Sequence, residues 1–493
     1  MTHSAAGIAR TPWITAGHYQ GEATQEPASV QWRTLPIVPL LMGLFLVAVS
    51  MKLSAGGDYS LARTAVLLLI CGLITVYGAL WDPYAPFYCY AFVGPTFPVF
   101  GSGIALAVAG TILVLMNQRK AQWQWNFSWI GASFCLWALV SLFWAERLYF
   151  GQDSFIVQAI PPMVVAIVLS GIKNPLFRRN LILVVVAGCA IGSLFCLRHF
   201  ILGSGDFGAG RTYGLISSDV FSAWELFGFL GALAWLLAGH PPRWLRNLLI
   251  LSLLLIIAGI GLSGERAAIV AAGLGIVIVG LCTKRLYQGV VLLIVVGIGA
   301  VLVYLVYPAM FDPVLSRFKT IGVDGGSDRL EIWGSALKVF AESPLIGVGT
   351  ENFRFAVGRY YGKEFLAHSI YVGTLVELGI VGILLMACWF GILLRKTWRA
   401  GDRLWVFPLL VVYLVEGLFL HEFLFICFWL VLGLAEGALS GNSGARIMLE
   451  GSTHARHPRP STSYQPKRPV RGALGNCRTK KTLPPRNLKR RWT

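Results

Sequence analysis

Charge is what this sequence has least of. Asp, Glu, Lys and Arg make up 13% of its 493 residues, against about a quarter in soluble domains. With 56% hydrophobic residues and a mean hydropathy of +0.68, that shortage excludes a soluble globular body. Alternation of apolar with polar residues is also missing, and the continuous apolar runs exclude the wall of a transmembrane β-barrel. The nine cysteines are scattered, mostly inside apolar runs as with Cys71, Cys135, Cys189 and Cys282. They show no CxxC or Cys/His cluster at zinc spacing and read as small hydrophobes between helices. There is no GxxxxGK[ST], no GxSxG and no HExxH, so a phosphate-cradling P-loop, a nucleophile elbow and a zincin helix are all excluded. The glycine-rich GSGDFGAG at Gly203 follows no strand and reads as flexible loop. In the longest polar loop Asp324 and Asp328 are separated by glycines and make no metal pair, so a mechanism without metal or cofactor is expected. No cleavable signal peptide is evident, because the first 34 residues are polar and mixed and a span follows directly.

What the sequence does have is runs of about 20 apolar residues, each long enough to cross the hydrocarbon core as a helix. They include residues 35–53, 61–80, 221–238, 248–262, 267–282, 290–306 and 370–394. The expected fold is therefore all-α, a polytopic membrane protein of about 12–14 transmembrane helices. Residues 84–100, aromatic and broken by Pro95 and Pro98, read as a loop, a re-entrant piece or a poor span. No internal repeat stands out, which argues against a transporter built from two matching halves.

Short loops rich in Lys and Arg mark the cytoplasmic side. These are Arg119–Lys120, Lys173 with Arg178 and Arg179, Arg243 with Arg246, Lys284–Arg285, and Arg395 to Arg403. The loops around 145–153, 203–219, 263–266 and 308–367 then face outward, to the periplasm. Three parts are expected: a polar tail over 1–34, a membrane domain over 35–440 and a basic tail over 441–493. The last carries thirteen Lys and Arg against one acid, Glu450. It reads as a disordered cytoplasmic segment touching anionic lipid rather than a nucleic-acid binder. In the large periplasmic loop, about 308–367, residues 327–342 are expected to form an amphipathic helix with Leu330, Ile332, Trp333, Leu337 and Phe340 near helical spacing. Ser343–Pro344 ends it, and Gly347 and Gly349 permit a tight turn.

The candidate chemistry lies on the outward side. Arg211 precedes a helix whose N-terminus also favours an anion. Arg266 sits beside Glu265 in a hairpin so short that it is held at the membrane interface. Arg329 opens the amphipathic helix. Arginine stays ionised and grips phosphate oxygens through its planar fork, so several together make a diphosphate clamp. His368, at the start of the next span, titrates near neutral pH and is suited to take a proton from a hydroxyl. Glu377 lies inside that span and needs a partner there, which makes it a candidate to pair with a site arginine. Glu416, His421 and Glu422 form a further polar knot.

Four segments resemble the O-antigen ligase and O-antigen polymerase superfamily of bacterial envelope enzymes. They are GRTYGLISSDVFSAWELFGFL with Arg211, the Ser-x-x-Arg hairpin GLSGERAAIVAAGLG, the Arg, Trp and "PL-GVG--NF" signature in DRLEIWGSALKVFAESPLIGVGTENF, and AHSIYVGTLVELGIVG, in which His368 and Gly379 stand at the family's His-x10-Gly spacing. Ser369 stands where the family often has Asn, and Ser218–Asp219 where it commonly has Pro-Asn. The resemblance implies glycosyl transfer from undecaprenyl diphosphate to an acceptor hydroxyl, on lipid A core, a growing polysaccharide or a protein. It places the reaction at the periplasmic face of the inner membrane, without metal or ATP. It makes His368 the catalytic base and Arg211 and Arg266 the diphosphate ligands, with Arg329 ordering the loop or binding glycan. The expected partners are the lipid-linked glycan donor, the acceptor and membrane lipids, with no nucleic acid. A transporter or flippase is the alternative, and it calls for more polar mid-span residues than Glu225, Glu377 and Glu416; a non-catalytic scaffold is a third.

Overall fold

The structure, a computed structural model, describes residues 36–54, 61–96, 100–147, 159–202, 218–239, 241–308, 329–400, 403–420 and 426–438. The chain divides into two compact units, Met1–Ser452 and Thr453–Thr493, and every described residue belongs to the first. Both tails, Arg211, Asp324, Asp328, His421 and Glu422 lie outside the described residues.

Among the described residues there is no strand, only an isolated bridge between Trp123 and Ile172. Five helices are long and apolar enough to cross a membrane, and seven shorter ones are apolar. In chain order the helices are α1 Ile37–Ser54, α2 Leu61–Leu80, α3 Ala85–Val93, α4 Phe100–Met116, α5 Trp129–Val140, α6 Ile160–Gly171, α7 Pro175–Ile201 and α8 Ser218–Ala238. There follow α9 Arg243–Ser263, α10 Arg266–Cys282, α11 Leu286–Val306, α12 Arg329–Glu342, α13 Phe353–Tyr361, α14 Ile370–Arg399, α15 Arg403–Glu416 and α16 Ile426–Glu436. The protein is thus an all-α, multi-pass membrane protein. The ambiguous aromatic stretch is a helix, α3, with all nine residues buried.

Burial sorts these helices by position. Helix α8 is buried along nearly its whole length, with Trp224, Phe227 and Trp235 inside the bundle. Helix α11 has one buried residue, Gly289. A helix that is apolar all round and exposed all round is a lipid-facing one.

One end of the bundle gathers the basic loops. Gln124 N–H donates to the Gly171 carbonyl at 2.9 Å and Lys173 N–H to Gln122 at 3.3 Å. The carboxylate of Glu436, fully buried at the end of α16, accepts from Trp389 Nε1 at 2.7 Å, from Ser128 Oγ and from Lys396 Nζ at 3.4 Å. Arg178 and Arg179, read as loop residues, lie instead buried in the first turn of α7. Arg178 Nη2 donates to the Leu434 carbonyl at 2.8 Å, satisfying a group that the end of α16 leaves open.

The other end is built around a broken helix. Residues 370–394 read as one span, but α14 is interrupted at Gly379, where φ is +66° and ψ −164°. Residues 380–399 then form about 30 Å of helix, the thickness of a bilayer core. A break in a helix leaves backbone groups open, and each must find a partner. Here the chain 344–349 supplies them. Val348 N–H and Gly349 N–H donate to the carbonyls of Val376 and Glu377 at 3.0 and 2.9 Å, and Ile380 N–H and Val381 N–H donate to Pro344 and Leu345 at 2.9 and 3.2 Å. Trp137 Nε1 takes the Leu378 carbonyl at 3.2 Å. A Cβ on Gly379 would stand 2.3 Å from the Leu345 carbonyl oxygen, and one on Gly347 2.4 Å from the Glu377 backbone. The PL-GVG signature is therefore a backbone insert that closes the break. Gly379→Ala combines a glycine-only conformation with that collision, and we expect it to destabilise the protein by at least about 2 kcal/mol. A thermal unfolding midpoint in detergent equal to that of the wild type would contradict this account.

Candidate active site

The described part of the large loop, residues 329–367, folds as a small unit of its own. Helix α12 turns Ile332, Ala336 and Val339 toward Phe353, Ala356 and Val357 of α13, and Ala367 and Val376 complete the cluster. The helix expected over 327–342 is described from Arg329 to Glu342, and Ile332, Trp333 and Phe340 pack inward as expected, but two leucines do not. Leu330 and Leu337 are 67% and 59% exposed, while Ser335 and Ala336 face inward. Two small residues let α13 approach closely, and hydrophobicity alone does not reveal that choice.

His368 is set by its neighbours on both sides. Trp333 Nε1 of α12 donates to the Ala367 carbonyl at 3.0 Å. Ser369 caps α14, its Oγ accepting from Val372 N–H at 3.4 Å, and Ile370 N–H donates to the Gly417 carbonyl beyond α15 at 2.9 Å. Between these anchors His368 adopts a left-handed conformation, φ +46°, which costs about 1 kcal/mol and persists only where the surroundings over-determine it. Serine after the histidine is thus a helix cap.

Charges converge on this imidazole. Burial and the Arg329 guanidinium push its pKa below the usual 6.5, and the carboxylates of Asp219 and Glu265 oppose them. Arg329 in turn is lowered by burial and by Arg266, against the pull of Glu265. Its guanidinium lies over the Phe419 ring, 5.9 Å from the centroid, and its Nε is buried without a hydrogen-bond partner. Arg266 opens α10 directly after Glu265, in a hairpin turned by Gly264 at φ +65°. Ser218 Oγ donates to Glu265 Oε1 at 3.1 Å, tying the start of α8 to that hairpin.

The fold therefore brings Arg266, Arg329 and His368 into one electrostatic neighbourhood at one end of the bundle. Glu377 is placed differently: its Oε1 accepts from Phe353 N–H at 3.2 Å, at the start of α13. Sequence reasoning missed Trp333, Asp219 and Phe419 as parts of the site. Asp219 carried a signal, as a departure from the family's residues at that position, and Trp333 another, as the tryptophan of the matching segment DRLEIWG; Phe419 carried none. The arrangement offers a histidine whose pKa is pushed down, beside arginines and carboxylates of opposing charge.

The class that fold and site define is a polytopic α-helical membrane protein with a histidine and arginine centre at one end. The family model described as O-Antigen ligase matches residues 251–387, a stretch holding Arg266, Arg329 and His368. Over that stretch the chain is similar to the O-antigen ligase family. It is also 28% identical over 148 residues to a Pseudomonas aeruginosa protein named "O-antigen ligase", an alignment covering 29% of each chain.

Proposed function

We propose that this protein transfers a saccharide from undecaprenyl diphosphate to an acceptor hydroxyl, at the periplasmic face of the bacterial inner membrane. The observation that carries the reading is that Arg329, whose buried Nε lacks a hydrogen-bond partner, acts on His368 while Arg266 acts on Arg329, which links all three in one neighbourhood. The acceptor oxygen attacks the anomeric carbon as His368 takes its proton, and the bond from that carbon to the diphosphate oxygen breaks. The electron pair leaves with the diphosphate, whose charge Arg266 and Arg329 neutralise. Arg211 is a third candidate ligand for that group. Attack opposite the leaving group inverts the anomeric configuration. The basic end of the bundle lies in the cytoplasm by the positive-inside rule, so the site faces out. Lipid A core, a growing polysaccharide or a protein hydroxyl are the acceptor classes.

The transporter reading draws less support. Glu225 is hydrogen-bonded to Ser193 Oγ at 2.9 Å and Glu377 to the loop backbone, as structural carboxylates are. In nanodiscs, with a polyprenyl-diphosphate glycan and each acceptor class, we expect product to form in the presence of EDTA and without nucleotide. Loss of product in EDTA, restored by a divalent cation, would refute the metal-free scheme. Movement of donor across a vesicle membrane with no transfer to any acceptor would favour the transporter.

A further inference from the structure

A second feature lies on the outward face, apart from the arginine pair. An open cavity of about 320 Å³ is walled by Glu146 and Arg147 on one side, Phe355 and Arg359 of α13 on another, and Lys363 and Glu364 of the following turn. Its two walls come from chain segments far apart in sequence, fastened by buried polar groups. Asn352, 1% exposed, accepts from Arg147 N–H at 3.0 Å and donates to the Arg147 carbonyl at 3.3 Å. Beneath it the hydroxyls of Ser141 and Thr350 are 2.6 Å apart. The Arg147 guanidinium stands 5.0 Å over the Phe355 ring. The cavity is thus shaped by the fold and not by chance side-chain placement.

Its chemistry selects among ligands. Three cations face two carboxylates, and one cation, Arg359, is already paired with Glu342 at 3.2 Å. A phosphate would meet Glu146 and Glu364 unfavourably. A polyhydroxylated ligand would not, because carboxylates accept from hydroxyls while Arg147 and Lys363 donate to them, and Phe355 offers an apolar edge to sugar C–H groups. The volume lies at the lower end for a small-molecule pocket and suits about one or two sugar rings. Glu364 is four residues before His368, a separation of at most about 14 Å of extended chain. A glycan reacting at His368 can therefore rest its neighbouring sugars here.

We infer that the cleft between residues 146–147 and α13 is a saccharide subsite, holding hydroxyl-rich sugar units next to the reacting one. This rests on the glycan-transfer reading for its role, but not for its existence. The test is binding to the full-length protein in nanodiscs, with two lipid-free probes: the glycan released by mild acid from the encoding strain's polyprenyl-diphosphate pool, and oligosaccharide fragments of its surface polysaccharide. Whichever probe binds tells whether donor or acceptor sugars lie in the cleft. Glu364→Gln and Phe355→Ala are each expected to weaken binding by at least about tenfold, the loss of one strong contact, while His368→Ala stays within about twofold. Glu364→Gln lies on an exposed turn, so its loss of binding is not a loss of folding. Wild-type affinity in both variants, or no binding of either probe to the wild type, would overturn the subsite. Binding that depends on Glu364 in a protein that transfers nothing would retain the subsite and refute the transferase.

Discussion

Replacing His368 by alanine is expected to lower glycan transfer by about 10²–10⁴-fold, the range for losing a positioned general base, with donor binding retained. The imidazole is held below its usual pKa, by burial first and by Arg329 second. Its neutral form therefore persists to lower pH than an unperturbed histidine would allow. Transfer by the wild type should run level through neutral pH and fall only as the medium is acidified below about 6.5. The alanine variant should show no such acid limb. A variant that keeps both the wild-type rate and the acid limb would remove His368 from the mechanism.

Arg266→Ala and Arg329→Ala are each expected to weaken donor binding by about 10- to 100-fold, the worth of a charge-assisted hydrogen bond. The pair acts on one group, so the double variant should lose less than the product of the two. A second readout separates them. Arg329 is the cation that lowers His368; without it the protonated imidazole is less disfavoured, its pKa rises, and the acid limb moves to higher pH. Arg266 presses on Arg329 instead, so its removal should leave the limb nearly in place. Equal shifts in the two variants, or none in Arg329→Ala with donor binding unchanged, would contradict this division of roles.

Much of this was legible before any coordinates. Helices such as α2 and α8 follow from apolar runs, because a bilayer admits few other solutions for a continuous apolar stretch. Arg266 could be placed near the interface from the shortness of its hairpin, and His368 from its position at the start of a span. The break in α14 was not legible, since Gly379 sits in a stretch that reads as one span despite Glu377. Nor was the structural use of Glu377, Asn352 and Arg178, whose partners lie tens to hundreds of residues away.

The sequence by itself determined the membrane class, the helical architecture and the types of residue available for chemistry, because solvent and backbone constraints act locally along the chain. Tertiary structure alone decided which face of α12 is buried, where the span before the last helix pair breaks, and which charges face His368. Those outcomes depend on contacts between distant segments: two glycines admitting a backbone insert, a serine tying two helix starts together, and two arginines held near each other despite their repulsion.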